Sequence, residues 1–214
     1  MQNPMQYESE FRGVSGVILA AGASRRMGRD KATIEMRGRS FLEHCAYGMA
    51  PFCRRLVIVL GFNAETIEAA VRPRLEAAAF ADRLEWARNL APERGQFSSL
   101  QTGFEALGCH GEAVVVCPVD HPLFQPATIA ALLAAWRCAT PPAQIIKPAY
   151  QGQHGHPVLY GAEAVRAMLA AGVSSTARAV QEAYAHATRI VPVEDPGILR
   201  NLDTPEELRK GKEE

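Results

Sequence analysis

Short apolar runs and longer amphipathic segments alternate along this chain. The runs at residues 14–20, 55–60 and 113–118 are rich in Val, Ile and Leu and too short for typical helices, which indicates buried parallel strands. Further strands are predicted at residues 84–88, 144–150, 157–160 and 189–193, the second and third of these as a pair. The segment 32–36 is strand-like and has the pattern of an edge strand.

Helix-like segments lie between these runs. They are predicted at residues 41–50, 64–79, 98–107, 126–138, 162–171, 175–184 and 205–210. Ser40 is expected to cap the first helix with Glu43 at the capping-box spacing, and Pro73 to kink or end the second. The alternation predicts a three-layer α/β fold with a mostly parallel sheet, which binds ligands beyond the carboxyl ends of its strands.

Length and composition narrow the class of protein. The 214 residues predict a single domain over residues 13–210 after a polar, disordered lead-in at residues 1–12. The 23 basic and 23 acidic residues balance, so no global field favours nucleic acid. Five cysteines without a Cys-x-x-Cys pair argue against a disulfide framework and fit a reducing cytoplasm. No apolar run approaches the roughly 20 residues of a membrane helix.

The loop after the first strand concentrates positive charge. Gly22 ends the apolar run, and three arginines with Lys31 follow between residues 25 and 31. A glycine turn with backbone N–H groups and cationic side chains suits the phosphates of a nucleoside triphosphate. The spacing from Gly22 to Gly28 fits neither a Walker loop nor a dinucleotide fingerprint. A structural surface loop is the alternative.

Two carboxylates are candidates for a metal site. Asp120 directly follows an apolar strand, where it could hold Mg²⁺ or simply make a turn. Asp203 precedes a Thr-Pro-Glu-Glu sequence that is ordinary at a helix start, with Thr204 as the expected cap. The histidines at 121, 154 and 156 lack the spacing of a zinc site, and His156 has a turn histidine as its alternative.

Several motifs together resemble a known family. The sequence ILAAGASRRMGRDK at residues 18–31 resembles the signature of a nucleotidyltransferase superfamily. That superfamily includes molybdenum cofactor nucleotidyltransferases, sugar-nucleotide pyrophosphorylases and the cytidylyltransferase of isoprenoid synthesis. DHP at 120–122, GHPV at 155–158 and NLDTP at 201–205 are similar to the molybdenum cofactor cytidylyltransferase branch. The resemblance covers about residues 14–209 and implies a Rossmann-like nucleotidyltransferase fold.

The resemblance also implies roles for individual residues. Arg25 and Lys31 would hold the triphosphate, Asp120 and Asp203 would bind Mg²⁺, and Arg25, Lys31 and Asp120 would be catalytic. On the acceptor side lies His156. The remaining nucleotide-binding residues implied are Leu19, Ala20, Ala21, Gly22, Asn89, Ser98 and Ser99. Of the last three, Ser98 has a second interpretation as a helix cap.

The implied reaction is Mg²⁺-dependent transfer of CMP from CTP to the terminal phosphate of molybdopterin, with release of pyrophosphate. Guanylyltransferases of this family tend to carry Ala-Gly-Gly, whereas this chain has Ala-Ala-Gly at residues 20–22. The additional methyl group, on Ala21, is expected to crowd the pocket and disfavour a purine base. UTP remains open. The implied macromolecular partner is a molybdoenzyme or its maturation chaperone, in the cytoplasm. The alternatives are a UTP-dependent sugar-phosphate nucleotidyltransferase and a non-catalytic molybdenum cofactor delivery protein, which would not need both Asp120 and Asp203.

Overall fold

The computed structural model describes residues 14–24, 27–108, 113–204 and 206–208. Its strands are β1 (Val14–Ala20), β2 (Glu35–Met36), β3 (Arg39–Ser40), β4 (Arg55–Leu60), β5 (Leu84–Arg88), β6 (Ala113–Pro118), β7 (Ile145–Tyr150), β8 (Gln153–His154), β9 (Val158–Gly161) and β10 (Thr188–Pro192). Its helices are α1 (Phe41–Met49), α2 (Ala64–Glu76), α3 (Gln96–Leu107), α4 (Pro126–Arg137), α5 (Ala162–Ala170) and α6 (Ala177–Ala183).

The main sheet has the strand order β10-β7-β9-β6-β1-β4-β5, with the short β8 paired to β7. β1 runs parallel to β4 and β6, β5 runs parallel to β4, and β10 runs parallel to β7. β9 is antiparallel to both of its neighbours, β6 and β7. The mostly parallel sheet and the predicted pairing of segments 144–150 and 157–160 are therefore confirmed. Because β9 is reversed, the loop before it reaches the same edge as the loops after β1 and β6.

Apolar side chains pack on both faces of the sheet, as strands buried on both sides require. Along β1, Val14 and Ile18 belong to one core while Val17 and Leu19 belong to the other, following the two-residue period of a strand. Helices α1, α2 and α4 contribute to the first core, and α3, α5 and α6 contribute to the second. The predicted three-layer α/β/α architecture is confirmed.

The predicted N-terminal cap is present at α1 but not at α3. At α1, the Ser40 hydroxyl accepts a hydrogen bond from the Glu43 backbone N–H, and the Glu43 carboxylate accepts one from the Ser40 backbone N–H. The predicted capping box is confirmed. α3 begins at Gln96, so the prediction that Ser98 caps it is wrong. Ser98 lies inside the first turn, where its hydroxyl donates to the Gly95 carbonyl at 2.8 Å.

The segment 32–36 is not an edge strand of the main sheet. Lys31–Thr33 forms a 3-10 turn, and β2 pairs with β3 in a separate two-stranded hairpin. The turn is favoured because the Asp30 carbonyl accepts hydrogen bonds from both the backbone N–H and the hydroxyl of Thr33. This turn, rather than a strand, positions the Lys31 side chain.

The remaining elements differ from their predicted bounds by a few residues at their ends. α2 continues past Pro73 but ends at Glu76 rather than at 79. α6 begins at Ala177 because Thr176 caps it, its hydroxyl accepting from the Ala179 backbone N–H at 3.1 Å. Differences of this size are usual at helix and strand ends.

Several predictions concern residues outside the described ranges. These are the lead-in at 1–12, the cation Arg25 and the outer limits of the domain predicted over 13–210. Of the helix predicted at 205–210, residues 206–208 are helical, and Thr204 accepts from the Glu207 backbone N–H as the expected cap. Within the described residues, no helix has the length and apolar character needed to cross a membrane.

Candidate active site

A cleft of about 490 Å³ opens at the carboxyl edge of the sheet, beside the loops that follow β1, β4 and β6. This is the edge where open parallel sheets bind their ligands. The predicted site residues that line the cleft are Leu19, Ala20, Ala21, Gly22, Lys31, Ser99, Asp120 and Asp203. The structure thus brings together residues from the first and last quarters of the chain.

The Lys31 ammonium lies between two carboxylates in this cleft. Its Nζ donates to Asp120 Oδ2 at 2.9 Å and to Asp203 Oδ1. The three side chains are between 16% and 21% exposed, so they are shielded from bulk water but open to a ligand. One positive and two negative charges therefore share a partly desolvated position, where electrostatic interactions are stronger than in water.

Backbone contacts hold these three residues in place. The Val119 N–H donates to the Leu19 carbonyl at 3.0 Å, which joins the end of β6 to the end of β1. The Leu202 N–H donates to the Asp120 carbonyl at 2.8 Å, so the segment that carries Asp203 runs directly alongside. The convergence of the two carboxylates thus follows from the main chain and does not depend on the flexible lysine.

Ser24, which follows β1, has a left-handed backbone conformation and contacts Lys31. Ser24 has φ +49°, and its hydroxyl accepts a hydrogen bond from the Lys31 backbone N–H at 3.1 Å. Its carbonyl accepts from the Met27 N–H at 3.1 Å. Serine adopts this conformation less readily than glycine, so the loop is held by these contacts. It places Gly22 and Lys31 on the same wall of the cleft.

Another part of the cleft lining is built around Ala21. A Cβ added at Gly61 would lie 2.9 Å from the Ala21 methyl group and 2.8 Å from Cβ of Pro92, so glycine is required for this close approach. The Phe62 N–H donates to the Ala21 carbonyl at 3.3 Å. Three chain segments therefore meet beside Ala21, which lines the cleft.

Asn89 and Ser98 lie behind this wall. The buried Asn89 amide donates to the hydroxyls of Ser98 and Ser99 at 2.8 and 3.0 Å, and its oxygen accepts from the Ala91 N–H. These hydrogen bonds use the groups that the sequence suggested for the base. Asn89 and Ser98 shape the loop at 89–99, while Ser99 lines the cleft itself.

His156 lies beside the cleft, next to His121. The two rings are 4.7 Å apart between centroids, and both Nδ1 atoms are buried without a hydrogen-bond partner. Burial lowers the pKa of His156 to about 4, with the neighbouring His121 and Lys147 acting in the same direction. Burial also lowers the pKa of His121. Both rings are therefore neutral at pH 7.

Sequence analysis did not single out several residues of the cleft wall, among them Phe62, Pro92 and Gln96. A signal was present for Phe62, because the Gly61-Phe62-Asn63 turn follows a buried strand that ends at the same edge as β1. Pro92 and Gln96 come from a loop whose path depends on Asn89, which no local pattern specifies.

The donor set fits a hard divalent cation. Asp120 and Asp203 contact the same ammonium, so their oxygens are close enough to share one ion, and carboxylate oxygens are the ligands that Mg²⁺ prefers. In the ranges that the structure covers, no three His, Cys, Asp or Glu side chains converge as a metal-binding group. An ion at these two carboxylates would take its other ligands from water and phosphate oxygens.

Comparisons with known proteins agree with this geometry. Nicotine blue oxidoreductase of Paenarthrobacter nicotinovorans is 33% identical over 181 residues, covering 80% of this chain and 82% of that protein. A probable molybdenum cofactor guanylyltransferase of Mycobacterium ulcerans is 29% identical over 206 residues, covering 94% of both chains. Among solved structures, Rv0371c of Mycobacterium tuberculosis superposes with a TM-score of 0.75 at 22% identity, covering 94% of this chain and 98% of that one.

The family comparison covers most of the chain. Residues 16–188 match the model of the MobA-like NTP transferase domain, a span that includes β1 from Gly16 onward, the loop carrying Lys31, Asp120 and His156. Asp203 lies beyond the matched span. The chain belongs to the family of proteins with a MobA-like NTP transferase domain.

Proposed function

We propose that the protein transfers CMP from CTP to the terminal phosphate of molybdopterin and releases pyrophosphate. The observation that carries this proposal is the convergence of Lys31, Asp120 and Asp203 in a cleft at the carboxyl edge of the sheet. Such a set of charges suits the phosphates of a nucleotide together with a divalent cation. The relatives named as molybdenum cofactor guanylyltransferases support the acceptor.

The chemistry requires positioning rather than a protein nucleophile. An oxygen of the acceptor phosphate forms a bond to the α-phosphorus of CTP while the α–β bridging P–O bond breaks, and pyrophosphate leaves. Gly22 and the loop after it hold the triphosphate, and Lys31 turns its ammonium toward the phosphate oxygens together with Arg25. Asp120 and Asp203 would hold Mg²⁺, which supplies neutralisation of the charge developing on the phosphates.

The choice of base is assigned to the wall around Ala21. In this proposal the Ala21 methyl group, which lines the cleft and packs against Gly61, limits the space available to a purine. Ser99 also lines the cleft, and its hydroxyl, which accepts a hydrogen bond from Asn89, keeps its proton to donate to a base edge. We therefore propose CTP rather than the GTP named for several relatives, with UTP as the nearest competitor.

Three other functions are alternatives to this proposal. A UTP-dependent sugar-phosphate nucleotidyltransferase would use the same phosphate site with another acceptor. Oxidoreduction is raised by the 33% identity to nicotine blue oxidoreductase. A delivery protein without turnover would bind nucleotide or molybdopterin but release no pyrophosphate.

The deciding experiment measures pyrophosphate release with Mg²⁺ and each of CTP, UTP, GTP and ATP. Each nucleotide is combined with molybdenum-loaded molybdopterin and, separately, with a panel of sugar 1-phosphates. We expect release with CTP and molybdopterin. Release with GTP would overturn the assigned base, and release with UTP and a sugar phosphate would overturn the acceptor. Reduction of nicotine blue by a hydride donor, with no pyrophosphate from any pair, would assign the oxidoreductase function.

A further inference from the structure

Lys147 is a cation on the side of the sheet away from the nucleotide cleft. It lies on β7, which is separated from Asp120 and β6 by the reversed strand β9. The ammonium donates to the Gln181 amide oxygen at 2.7 Å. Gln181 is fixed in turn, because its amide nitrogen donates to the Tyr160 hydroxyl at 2.7 Å. The lysine is therefore held in one position.

The charge of Lys147 is not compensated by an acid. Among the described residues its hydrogen bond goes to a neutral amide, and burial is the cause of its lowered pKa. A partly buried cation with a neutral partner is unfavourable unless an anion joins it. Lys31 shows the contrast, since two carboxylates contact it.

The neighbourhood of Lys147 contains a buried polar atom without a partner. Among the described residues, His156 Nδ1 is buried without a hydrogen-bond partner. His156 directly follows Gly155, which is hydrogen-bonded to the strand that carries Lys147. The segment before β9 is anchored beside Lys147, because the Gly155 N–H donates to the Pro148 carbonyl at 3.1 Å. Buried polar atoms in folded proteins are nearly always satisfied, so an unpartnered one indicates a ligand or water.

From this arrangement we propose that Lys147 and His156 form a binding position for the acceptor's phosphate, and that Lys147 sets the affinity for the acceptor. The inference rests on the proposed function, because it assigns the second substrate of the same reaction. It follows the order of the sheet: β1 and β6 carry the nucleotide side, while β9 and β7 carry this position on the other side of Asp120. Lysine ammonium and imidazole groups both bind phosphate oxygens through charge-assisted hydrogen bonds.

The first test measures binding of inorganic phosphate by calorimetry with the nucleotide site saturated by α,β-methylene CTP. We expect Lys147→Met to weaken the phosphate Kd at least tenfold and Lys147→Arg to stay within about threefold of the wild type. The matched control is Arg189→Met, which removes an exposed cation from the neighbouring strand β10 and should leave the Kd unchanged.

Three results would overturn the inference: no phosphate binding by the wild type, an unchanged Kd in folded Lys147→Met, or an equal loss in Arg189→Met. Thermal unfolding establishes that each variant is folded, and Lys147→Gln replaces Lys147→Met if that variant is not.

The second test separates this inference from the proposed function. In the pyrophosphate assay, Lys147→Met should raise the KM for molybdopterin at least tenfold and leave the KM for CTP unchanged. If the wild type releases no pyrophosphate but its phosphate Kd depends on Lys147, the proposed reaction fails and the anion position stands. If the wild type turns over and Lys147→Met changes neither constant, the anion position fails and the reaction stands.

Discussion

The two sides of the proposed site differ in how the charge of their lysine is balanced. On the nucleotide side, Lys31 is neutralised by Asp120 and Asp203 before any ligand arrives. On the other side, Lys147 has a neutral partner and His156 has an unpartnered nitrogen. A ligand must displace existing ion pairs on the first side and meets unused hydrogen-bonding capacity on the second.

This difference indicates what each side requires of its substrate. A triphosphate brings a divalent cation with it, so carboxylates can exchange an ammonium for that cation as the lysine turns to the phosphates. An acceptor that carries no cation must be matched by a position that is already electropositive. The imbalance at Lys147 is thus complementary to an anion that binds without a metal.

The largest effect is expected from removing one carboxylate of the nucleotide side. Asp120→Asn keeps the shape of the side chain but removes the charge that would hold the metal. We expect pyrophosphate release to fall about a thousandfold, roughly 4 kcal/mol in the activation barrier, because metal neutralisation supplies several kcal/mol.

The matched control for this variant is Asp82→Asn, which changes an exposed carboxylate in the turn before β5, at the edge of the sheet opposite the cleft. It should retain full activity. A rate for Asp120→Asn within tenfold of the wild type would remove Asp120 from the metal site.

The second prediction concerns His156, the buried histidine of the proposed acceptor side. The pKa of His156 is about 4 in the folded chain against an ordinary value of 6.5, so the folded state disfavours its protonation. Its contribution to stability is complete above pH 6.5 and is lost as the pH falls toward 4. We expect the free energy of unfolding to fall by roughly 3 kcal/mol more in the wild type than in His156→Gln between pH 7 and pH 4.

Urea unfolding at a series of pH values gives the free energy of unfolding as a function of pH, and the slope of that curve is compared between the two proteins. His186→Gln, which changes an exposed histidine, should follow the wild type. Parallel slopes for the wild type and His156→Gln would show that His156 titrates normally, and that the acceptor side is more solvated than its burial indicates.

The smallest effect is expected at the base-selecting wall. Ala21→Gly removes the methyl group that packs against Gly61 and Pro92 and so widens the cleft. We expect the ratio of kcat/KM for GTP to that for CTP to rise about tenfold, the usual effect of one methyl group in a pocket. Val14→Ala, at the buried start of β1 and away from the cleft, should leave the ratio unchanged. An equal shift in both variants would assign the change to loosening of β1.

The elements of the fold were predictable where short-range patterns determine them. The buried strands β1, β4 and β6 match their predicted bounds because their apolar runs end at clear turn residues. The capping box at Ser40 and Glu43 is specified by two residues three positions apart. Segment 32–36 was not predictable in this way, because hydrogen bonds to the Asp30 carbonyl favour a turn that its apolar residues do not reveal.

The site was predictable to the extent that strand ends meet at one edge. That rule placed Gly22 and Asp120 together, whereas Lys31 and Asp203 were expected from the family resemblance, and the structure brings all four to the cleft. The rule does not indicate which polar side chains are left to bind a ligand, because that depends on hydrogen bonds between distant parts of the chain. Asn89 illustrates this. Its side-chain amide was expected to bind the base, but it forms hydrogen bonds within its own loop, to Ser98 and Ala91.

The reversed direction of β9 has a consequence for how this site could diversify. Residues 151–157 connect two neighbouring strands by a short excursion through the β8 hairpin, and they reach the ligand edge without passing through either helical layer. Replacing this stretch would alter one substrate's surroundings while leaving the nucleotide loops and both cores intact. The residues proposed to select the nucleotide and those proposed to select the acceptor therefore lie in separate segments of the chain. Exchange of the loop at residues 151–157 would then change the acceptor without changing the nucleotide.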